Sequence, residues 1–425
     1  GLAKWATEIE SPERTVEVVE RAFATALQGR MGPVVIALPE DLLHDQGGPE
    51  PKQAVTPARA APSPAFLAEL NERLSKAERP LLVLGGSGWT DEAAAAIGDW
   101  AEGLGLPVAL SFRRKDILSN DRPNYAGDLG LGCNPKLTAR AKGADLVIAL
   151  GARLGENPTQ GYSLFDRTET GGRLVHIHPG PEELGRVWPT LMAAVSDNSL
   201  AALALSELKP GRSWHDEAET AHADYLAFST PVAVTGAVNM SECMKTLGEV
   251  LEPTAVVTNG AGNFAAWLHR FYGHKACRTQ LAPTSGAMGY GVPAAVAAAI
   301  MEPGRQVVNI AGDGDFMMAA QELATLVQYD AKAVFVVVDN GTYGTIRMHQ
   351  ERDYPARVSG TDLKNPDFVR FAEAFGLTAA RVETTEGFRP ALEAALAADG
   401  PALIHLITSP EDIAPGRTIS QLRAG

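Results

Sequence analysis

Two apolar stretches that each end in a glycine-rich polar turn constrain the fold of this chain more than any other feature. The first, Val307 to Ala311, leads into Gly312-Asp313-Gly314-Asp315-Phe316. The second, Val334 to Val338, leads into Asp339-Asn340-Gly341-Thr342-Tyr343-Gly344. Short apolar runs bounded by turn residues are typical of buried strands, so we expect two strands of one sheet here.

A helix is predicted between these two strands. Residues 317–329 carry apolar side chains at helical spacing, and the predicted buried face consists of Phe316, Ala320, Leu323 and Val327. The order strand, turn, helix, strand is that of a right-handed βαβ unit, in which the two strands run parallel. The sequence therefore predicts an α/β fold with a doubly wound, mostly parallel sheet.

Asp313 and Asn340 are predicted to follow the carboxyl ends of these strands, where open α/β sheets bind ligands. A carboxylate and an amide oxygen suit Mg²⁺, which prefers a few protein oxygens together with the phosphate oxygens of a ligand. The glycines allow backbone N–H groups to approach a diphosphate at the start of the helix. The alternative is a pair of tight turns in which Asp313 only caps the helix. Because both turns directly follow apolar strands, we favour the ligand site.

Composition narrows the class of protein. A chain of 425 residues is expected to form two or three domains. A formal net charge of −14 argues against a nucleic-acid partner, since no basic stripe is available to neutralise phosphates. No stretch is long and apolar enough to predict a membrane span. Cys133, Cys243 and Cys277 form neither a disulfide framework nor a zinc pattern. We therefore expect a cytoplasmic protein with a small-molecule substrate.

Four segments follow each other along the sequence. Residues 1–46 contain a predicted helix over 12–28, as the first element, and a predicted strand over 33–38. These two elements cannot bury a core alone, so we expect the sequence to start inside a domain. Residues 47–64, rich in Pro, Gly and Ala, predict a linker. Residues 65–208 and residues 232–425 each alternate predicted helices and strands, which indicates two α/β domains.

The two turns resemble the diphosphate-binding motif of thiamine diphosphate (ThDP) enzymes, which begins GDG and ends in an asparagine. Two other segments, Asn259 to Asn263 and Ser285 to Gly291, stand in the order found in that family. The whole chain resembles the acetolactate synthase-like branch, which has pyrimidine-binding, central and diphosphate-binding domains. The resemblance implies that residues 1–46 are the C-terminal part of the pyrimidine-binding domain, that most of that domain is missing, and that residues 65–208 and 232–425 are the other two.

The resemblance also implies roles for individual residues. Mg²⁺ would be bound by Asp313, by the side chain of Asn340 and by the backbone carbonyl of Thr342. The carbonyl of Gly286 would accept a hydrogen bond from the aminopyrimidine, and Met288 would lie between the two rings of the cofactor and bend it. The other cofactor-binding residues implied in this way are Asn263, Phe264, Gly312, Gly314, Asp315, Tyr343 and Gly344.

Three departures from the family pattern bear on activity. The glutamate that activates the cofactor in this family is expected upstream of this sequence, so the catalytic residues stay unknown and this fragment alone is expected to be inactive. A tryptophan found after the metal loop of acetolactate synthases corresponds to His349, for which acid–base, substrate-binding and plain surface roles remain open. Asn263-Phe264 replaces the Gln-His of those synthases and removes a polar group near the diphosphate.

The resemblance implies decarboxylation and carboligation of 2-oxo acids with ThDP and Mg²⁺, and the formation of acetolactate from pyruvate is the best single expectation. Alternatives within the class are enzymes like benzoylformate decarboxylase, benzaldehyde lyase or oxalyl-CoA decarboxylase. An alternative of another class is a non-catalytic nucleotide-binding or assembly subunit. A homodimer or homotetramer is implied. FAD, which the central domain of acetolactate synthases binds, is the less favoured option, because Gly85-Gly86-Ser87-Gly88 is not a dinucleotide fingerprint.

Overall fold

The computed structural model describes residues 1–46, 48, 50, 54–168 and 170–424. These residues form two six-stranded sheets and one two-stranded sheet. All neighbouring strands in the three sheets run parallel. The predicted fold class, an α/β protein with two doubly wound parallel sheets, is therefore confirmed.

The two-stranded sheet lies near the start of the chain. Strand β1 (Trp5–Glu8) pairs with β2 (Val34–Ala37), and helix α1 (Thr15–Leu27) connects them. The prediction that a helix is the first element was wrong, because β1 precedes it. Strand β1 has only four residues, and their side chains are alternately half-exposed and exposed. It is therefore too short to give a clear periodic signal in the sequence. Of the predicted linker, residues 47, 49 and 51–53 lie outside the described residues, and residues 54–63 contain no helix or strand.

The central sheet has the strand order β5-β4-β3-β6-β7-β8. The chain reverses its direction of growth between β3 and β6, which is the switch point of a doubly wound sheet. Its strands are β3 (Pro80–Leu84), β4 (Val108–Ser111), β5 (Tyr125–Leu129), β6 (Leu146–Leu150), β7 (Leu174–His178) and β8 (Met192–Val195). Its helices are α2 (Pro64–Lys76), α3 (Asp91–Gly103), α4 (Pro135–Gly143), α5 (Asn198–Ser206) and α6 (His215–Phe228).

The C-terminal sheet has the strand order β10-β9-β11-β12-β14-β13, with its switch point between β9 and β11. Its strands are β9 (Val256–Asn259), β10 (Gln280–Leu281), β11 (Val307–Gly312), β12 (Val334–Asp339), β13 (Thr378–Val382) and β14 (Ala402–Ile407). Its helices are α7 (Met240–Val250), α8 (Asn263–Phe271), α9 (Gly291–Met301), α10 (Asp313–Met317), α11 (Glu322–Gln328), α12 (Gly344–Asp353), α13 (Phe368–Ala374), α14 (Thr385–Ala397) and α15 (Ile419–Ala424).

Helices cover both faces of each six-stranded sheet, which is why its inner strands are mostly apolar on both faces. In β12, Val334, Val336 and Val338 pack into the core on one face. Phe335 and Val337 pack into a separate core on the other face. This burial fixes the register of β12, since a slip by one residue would exchange the two faces. The domain limits given by the sequence remain a prediction.

The helix predicted over 317–329 is interrupted. Helix α10 ends at Met317, residues 318–321 form turns, and α11 begins at Glu322. Backbone hydrogen bonds in this stretch connect residues three apart, such as Ala319 N to Phe316 O. Because a three-residue turn rotates the buried face, Leu326 is buried and the predicted core residue Val327 is 39% exposed.

Among the described residues, no helix is both long and apolar enough to cross a membrane.

Candidate functional site

A single pocket opens at the carboxyl ends of β9, β11 and β12 and brings together most of the residues singled out in the sequence. The predicted metal ligands Asp313, Asn340 and Thr342 all line it. The predicted cofactor-binding residues that line it are Asn263, Phe264, Met288, Gly312, Gly314, Asp315, Tyr343 and Gly344. Gly286 and His349 are not among the lining residues. The pocket lies beside the switch point between β9 and β11, where such sheets bind ligands.

Asp313 is the first residue of α10, and the residue is 3% exposed. Its Oδ1 accepts from the N–H of Gly314 at 2.9 Å, and its Oδ2 accepts from the N–H of Gly341 at 2.9 Å. The Asn365 side-chain amide donates to Asp313 Oδ2 and to Asp339 Oδ1, at 2.8 Å each. Asn365 therefore joins the carboxylate that directly follows β11 to the carboxylate of the last residue of β12.

The two carboxylates have different electrostatic surroundings. Burial, together with the nearby charge of Asp339, raises the pKa of Asp313 to about 6. Burial also acts on Asp339, but hydrogen bonds outweigh it and the pKa of Asp339 is lowered. The strongest of these bonds comes from His405 on β14, whose Nε2 lies 2.8 Å from Asp339 Oδ2. Two neighbouring carboxylates, that of Asp313 buried and that of Asp339 partly buried, make this end of the sheet a favourable place for a divalent cation.

The loop after β12 supplies neutral oxygens. Asn340 Oδ1 accepts from the backbone N–H of Thr342 at 3.2 Å. No hydrogen bond is made to the carbonyl oxygen of Thr342 within the described part of the chain. Those residues also contain no group of three or more His, Cys, Asp or Glu side chains that could hold a metal. A metal at this end of the sheet would therefore depend on amide and carbonyl oxygens as well as on Asp313.

Two aromatic rings approach the glycines of the first turn. A Cβ atom at Gly312 would lie 2.8 Å from the ring of Phe264, and one at Gly314 would lie 2.5 Å from the ring of Tyr343. Any larger residue would displace these rings, because Cβ atoms do not tolerate such short contacts. The glycines thus let Phe264 and Tyr343 form walls of the pocket.

The Asp315 side chain has a structural role that the sequence did not indicate. Its Oδ1 accepts from the N–H groups of Ala261 at 3.1 Å and Gly289 at 2.9 Å. Burial raises the pKa of Asp315 to about 6. An ionised carboxylate only accepts hydrogen bonds, so this side chain ties the turn after β9 to the segment before α9. Binding of a diphosphate by Asp315 stays a prediction.

Asn263 begins α8, and its side chain is held by neighbouring elements. Its Nδ2 donates to the carbonyl of Ile413 at 2.9 Å, and its Oδ1 accepts from the Thr345 hydroxyl at 2.9 Å. The C-terminal segment therefore forms part of the pocket wall, with Ile413 as a lining residue. Sequence reasoning missed this contribution, because Asn263 and Ile413 are distant in sequence. Sequence reasoning also missed Asp339 and Asn365. For Asp339, the available signal was its position directly before the predicted ligand Asn340.

Gly286 and Met288 belong to an exposed segment between β10 and α9. Gly286 has a φ of 77°, which favours glycine, and a Cβ atom there would meet nothing within 4 Å. Met288 is 36% exposed and lines the pocket. His349 is exposed on α12, one turn beyond the lining residue Ile346. A role for His349 in acid–base chemistry or substrate binding stays a prediction.

Two family models match this chain. The central domain of thiamine pyrophosphate enzymes matches residues 67–207, and their C-terminal TPP-binding domain matches residues 260–406. The chain belongs to the thiamine pyrophosphate enzymes. Thiamine pyrophosphate is the same compound as ThDP, so the predicted cofactor is confirmed at the level of the family. The second match contains β11, β12 and both glycine-rich turns.

Curated relatives narrow the branch. The chain is 28% identical over 434 residues to the probable acetolactate synthase large subunit of Methanocaldococcus jannaschii, covering 97% of this chain and 73% of that protein. It is 27% identical over 401 residues to the acetolactate synthase isozyme 2 large subunit of Escherichia coli, covering 94% and 72%. The predicted acetolactate synthase-like, ThDP-dependent enzyme is confirmed, and the non-catalytic subunit is not favoured.

Solved structures support the same architecture. The ThDP-dependent 4-hydroxybenzoylformate decarboxylase of Rhodococcus jostii superposes with a TM-score of 0.79 at 25% identity, covering 96% of this chain and 76% of that chain. Benzoylformate decarboxylase of Polynucleobacter necessarius superposes with a TM-score of 0.80 at 24% identity, which bears on the fold alone.

Proposed function

We propose that this enzyme uses ThDP and Mg²⁺ to decarboxylate 2-oxo acids and to join the product to a second carbonyl compound, with pyruvate giving acetolactate as the preferred reaction. The carrying observation is the pocket in which Asp313, Asn340 and Thr342 meet at the ends of β11 and β12. The acetolactate synthase relatives support the choice of reaction.

The residues present fit the cofactor and its metal. Asp313 and Asn340 offer a buried carboxylate and an amide oxygen, and Thr342 offers a carbonyl oxygen without a hydrogen bond among the described residues. These three would bind Mg²⁺, which favours such hard oxygen ligands and keeps phosphate oxygens in its shell. The N-terminus of α8, which begins at Asn263 on the pocket wall, would favour the negative charge of the diphosphate.

Other residues would orient the rings of the cofactor and exclude water. Bound ThDP supplies a nucleophilic carbon and an electron sink for the carbon–carbon bond that breaks. Met288 and Ile346 contribute partly exposed apolar surface beside the metal ligands. Against this surface the rings would be held in one orientation, which favours reaction by removing rotational freedom beforehand. The carbonyl of Gly286 is proposed to accept a hydrogen bond from the aminopyrimidine.

Calorimetry with Asp313→Ala, in protein with the pyrimidine-binding domain restored, tests the proposal. We expect the variant to lose Mg²⁺-dependent ThDP binding, since removal of the carboxylate takes away the charged metal ligand. Asp399→Ala is the matched control, because Asp399 is an exposed carboxylate beyond α14. Unchanged ThDP binding by Asp313→Ala would refute the assignment.

Product analysis, with the pyrimidine-binding domain restored, separates the candidate reactions. The acetolactate synthase reading predicts acetolactate from pyruvate alone. A benzoylformate decarboxylase-like enzyme, the alternative supported by the Rhodococcus jostii structure, would instead form an aromatic aldehyde from benzoylformate. The same assay would detect benzaldehyde lyase-like or oxalyl-CoA decarboxylase-like activity with the corresponding substrates.

We expect no FAD in the central sheet. A cavity of about 600 Å³ opens at the ends of β3, β4 and β6, beside Gly86, Arg114 and Arg153. The turn after β3, which borders this cavity, lacks the glycine spacing of a dinucleotide fingerprint. We therefore expect that the cavity does not bind FAD. The visible absorbance spectrum of the purified protein tests it, and flavin bands would contradict it.

A homodimer or homotetramer is proposed. Exposed apolar side chains flank the pocket: Tyr290 is 37% exposed, Met317 43% and Met318 50%. Such a surface beside a polar site is typical of an association surface. Light scattering tests this, and a monomer at micromolar concentration would contradict it.

A cytoplasmic location is proposed as well, since Cys133, Cys243 and Cys277 are free thiols.

A further inference from the structure

Arg113 is a buried arginine in an unusual backbone conformation. It follows β4 of the central sheet and has a φ of 57°, which a bulky side chain rarely adopts. The residue is 6% exposed, and its Nε has no hydrogen-bond partner among the described residues. A strained backbone and a buried, incompletely paired cation both cost free energy, so the surrounding structure must stabilise this arrangement.

The Arg113 guanidinium contacts the C-terminal sheet at one defined point. Its Nη1 donates to the carbonyl oxygen of Pro283. Pro283 begins the segment that carries Gly286 and Met288, and its carbonyl also accepts from the N–H of Gly286 at 3.0 Å. From the loop after β4 of the central sheet, Arg113 therefore holds the first turn of that segment.

The other end of the segment is held by Asp315. Its carboxylate accepts from the N–H of Gly289 at 2.9 Å, directly after Met288. The charges of Arg113 and Asp315 attract each other, so the two anchors support one another. Residues 284–288 are exposed between these anchors. Gly286 and Gly289 both have a φ of 77°, and a glycine-containing exposed segment keeps one conformation only if its ends are fixed.

We propose that Arg113 is a positioning residue of the central sheet that fixes the segment from Pro283 to Gly289, and thereby the Gly286 carbonyl and the Met288 side chain that face the coenzyme. This inference rests on the proposed function, since it assigns the segment the task of orienting ThDP. Arg113 acts through Pro283 and is assigned no contact with the substrate. The guanidinium is suited to this task because it reaches across the two sheets and complements the negative charge of Asp315.

Arg113→Gly tests the proposal without adding backbone strain, because glycine accepts a φ of 57°. Arg113→Lys keeps the positive charge and a donor, and serves as the rescue variant. Lys115→Met is the matched comparator. Lys115 is a buried cation of the same loop, but it donates to the carbonyls of His269 and Tyr272 and not to Pro283.

The first measurement is amide hydrogen exchange at Gly286 and Gly289 in protein without coenzyme. We expect the exchange rate to rise at least about tenfold in Arg113→Gly, because the anchor of the segment is lost. In Arg113→Lys the rate should return most of the way to the wild-type value. Lys115→Met is expected to leave these two amides near the wild-type rate. Equal exchange in Arg113→Gly and wild type, or equal acceleration in Lys115→Met, would overturn the proposal.

The second measurement uses ThDP and Mg²⁺ with protein in which a complete pyrimidine-binding domain is restored, because the glutamate that activates the cofactor is expected in that domain. In Arg113→Gly we expect the exchange rate of the thiazolium C2 proton, followed by NMR, to fall at least about tenfold, since a small misplacement of an orienting group has a large effect on rate. The Kd for ThDP is expected to change much less, because the diphosphate and metal contacts remain. Equal C2 exchange in the variant and the wild type would overturn the orienting role. If wild-type protein binds no ThDP, the proposed function fails, while amide exchange still decides whether Arg113 holds the segment.

Discussion

Asn365 is the residue that most clearly organises the proposed metal site without being a ligand. One amide nitrogen bonds both Asp313 and Asp339, and His405 supports Asp339 from the next strand. Partners of this kind fix the direction of a ligand oxygen before the ion arrives. The glycine-rich turns made Asp313 and Asn340 predictable from sequence. Asn365 was not predictable, because only the folded chain brings the loop before α13 next to β11.

Replacement of Asn365 by alanine is expected to weaken Mg²⁺ binding about 10- to 100-fold, since Asp313 and Asp339 lose their shared donor. The concentration of Mg²⁺ that gives half-maximal ThDP binding measures this. Lys364→Ala, at the exposed preceding residue, is the control and should leave that concentration unchanged. An Asn365→Ala protein with wild-type Mg²⁺ affinity would show that the bridge does not orient the carboxylates.

Gly314→Ala is expected to destabilise the protein by about 1–3 kcal/mol, because the added methyl group overlaps the ring of Tyr343. Displacement of that ring should also lower ThDP affinity. Thermal unfolding and calorimetric titration measure the two effects. Gly103→Ala is the control, since a Cβ atom at the end of α3 meets nothing within 4 Å. Equal melting temperatures for both variants would contradict the packing argument.

At the scale of helices and strands, the long apolar runs were the predictable part. The strands β11 and β12 follow their sequence signals within one residue. The break between α10 and α11 was not predictable, since 317–329 has acceptable helical spacing throughout. What decides the break is tertiary packing, which buries Phe316, Leu323 and Leu326 on a face that rotates through the turns.

The C-terminal helix α15 is tied to α12 by the carboxylate of Glu351. Glu351 accepts a bidentate pair of hydrogen bonds from Arg423, at 2.6 and 2.7 Å, and a further bond from Arg347 at 3.3 Å. These contacts, chiefly that of Arg423, lower the pKa of Glu351 from 4.5 to about 2. The contact joins residues 72 positions apart, so no local sequence pattern could have revealed it.

The pH dependence of this contact follows from the sign of the pKa shift. A carboxylate with a lowered pKa stabilises the docked helix fully above pH 4.5, and the contribution is lost as the pH falls towards 2. We expect amide protection in α15 to fall over that range in the wild type. In Glu351→Gln, protection should already be low at pH 7 and change little on acidification. Arg352→Ala, which removes an exposed pair with Asp353, is the control and should retain the wild-type profile.

At the scale of the whole molecule, the order of predicted helices and strands was sufficient for the fold class. It was not sufficient for the way in which the two large sheets meet. Their contact includes the buried loop after β4, in which Arg113, Lys115 and Asn120 all bond to the C-terminal half. Buried cations are rare in general. From sequence, Arg113-Arg114-Lys115 therefore gave no reason to expect a buried loop.

Lys115→Met is expected to loosen the contact between the sheets locally, at the carboxyl end of α8, and to leave the bond from Arg113 to Pro283 in place. The carbonyls of His269 and Tyr272 at the end of α8 would lose their cationic donor, at a cost of about 1–3 kcal/mol each. Differential scanning calorimetry should show a lower transition temperature, with the unfolding of the two sheets less well coupled. Lys332→Met is the control, because its exposed ammonium bonds a carbonyl within the C-terminal half. A single, unshifted transition in Lys115→Met would contradict the argument.

Helix α8 has its amide end on the pocket and its carbonyl end against Lys115. During synthesis, the residues of the central sheet leave the ribosome before those of α8 do. The surface that receives the carbonyl end is therefore available before the helix itself is complete. Because the central sheet comes first along the chain, it would serve as a template on which the C-terminal sheet folds. Coenzyme binding at the amide end of α8 would then require that both sheets are assembled.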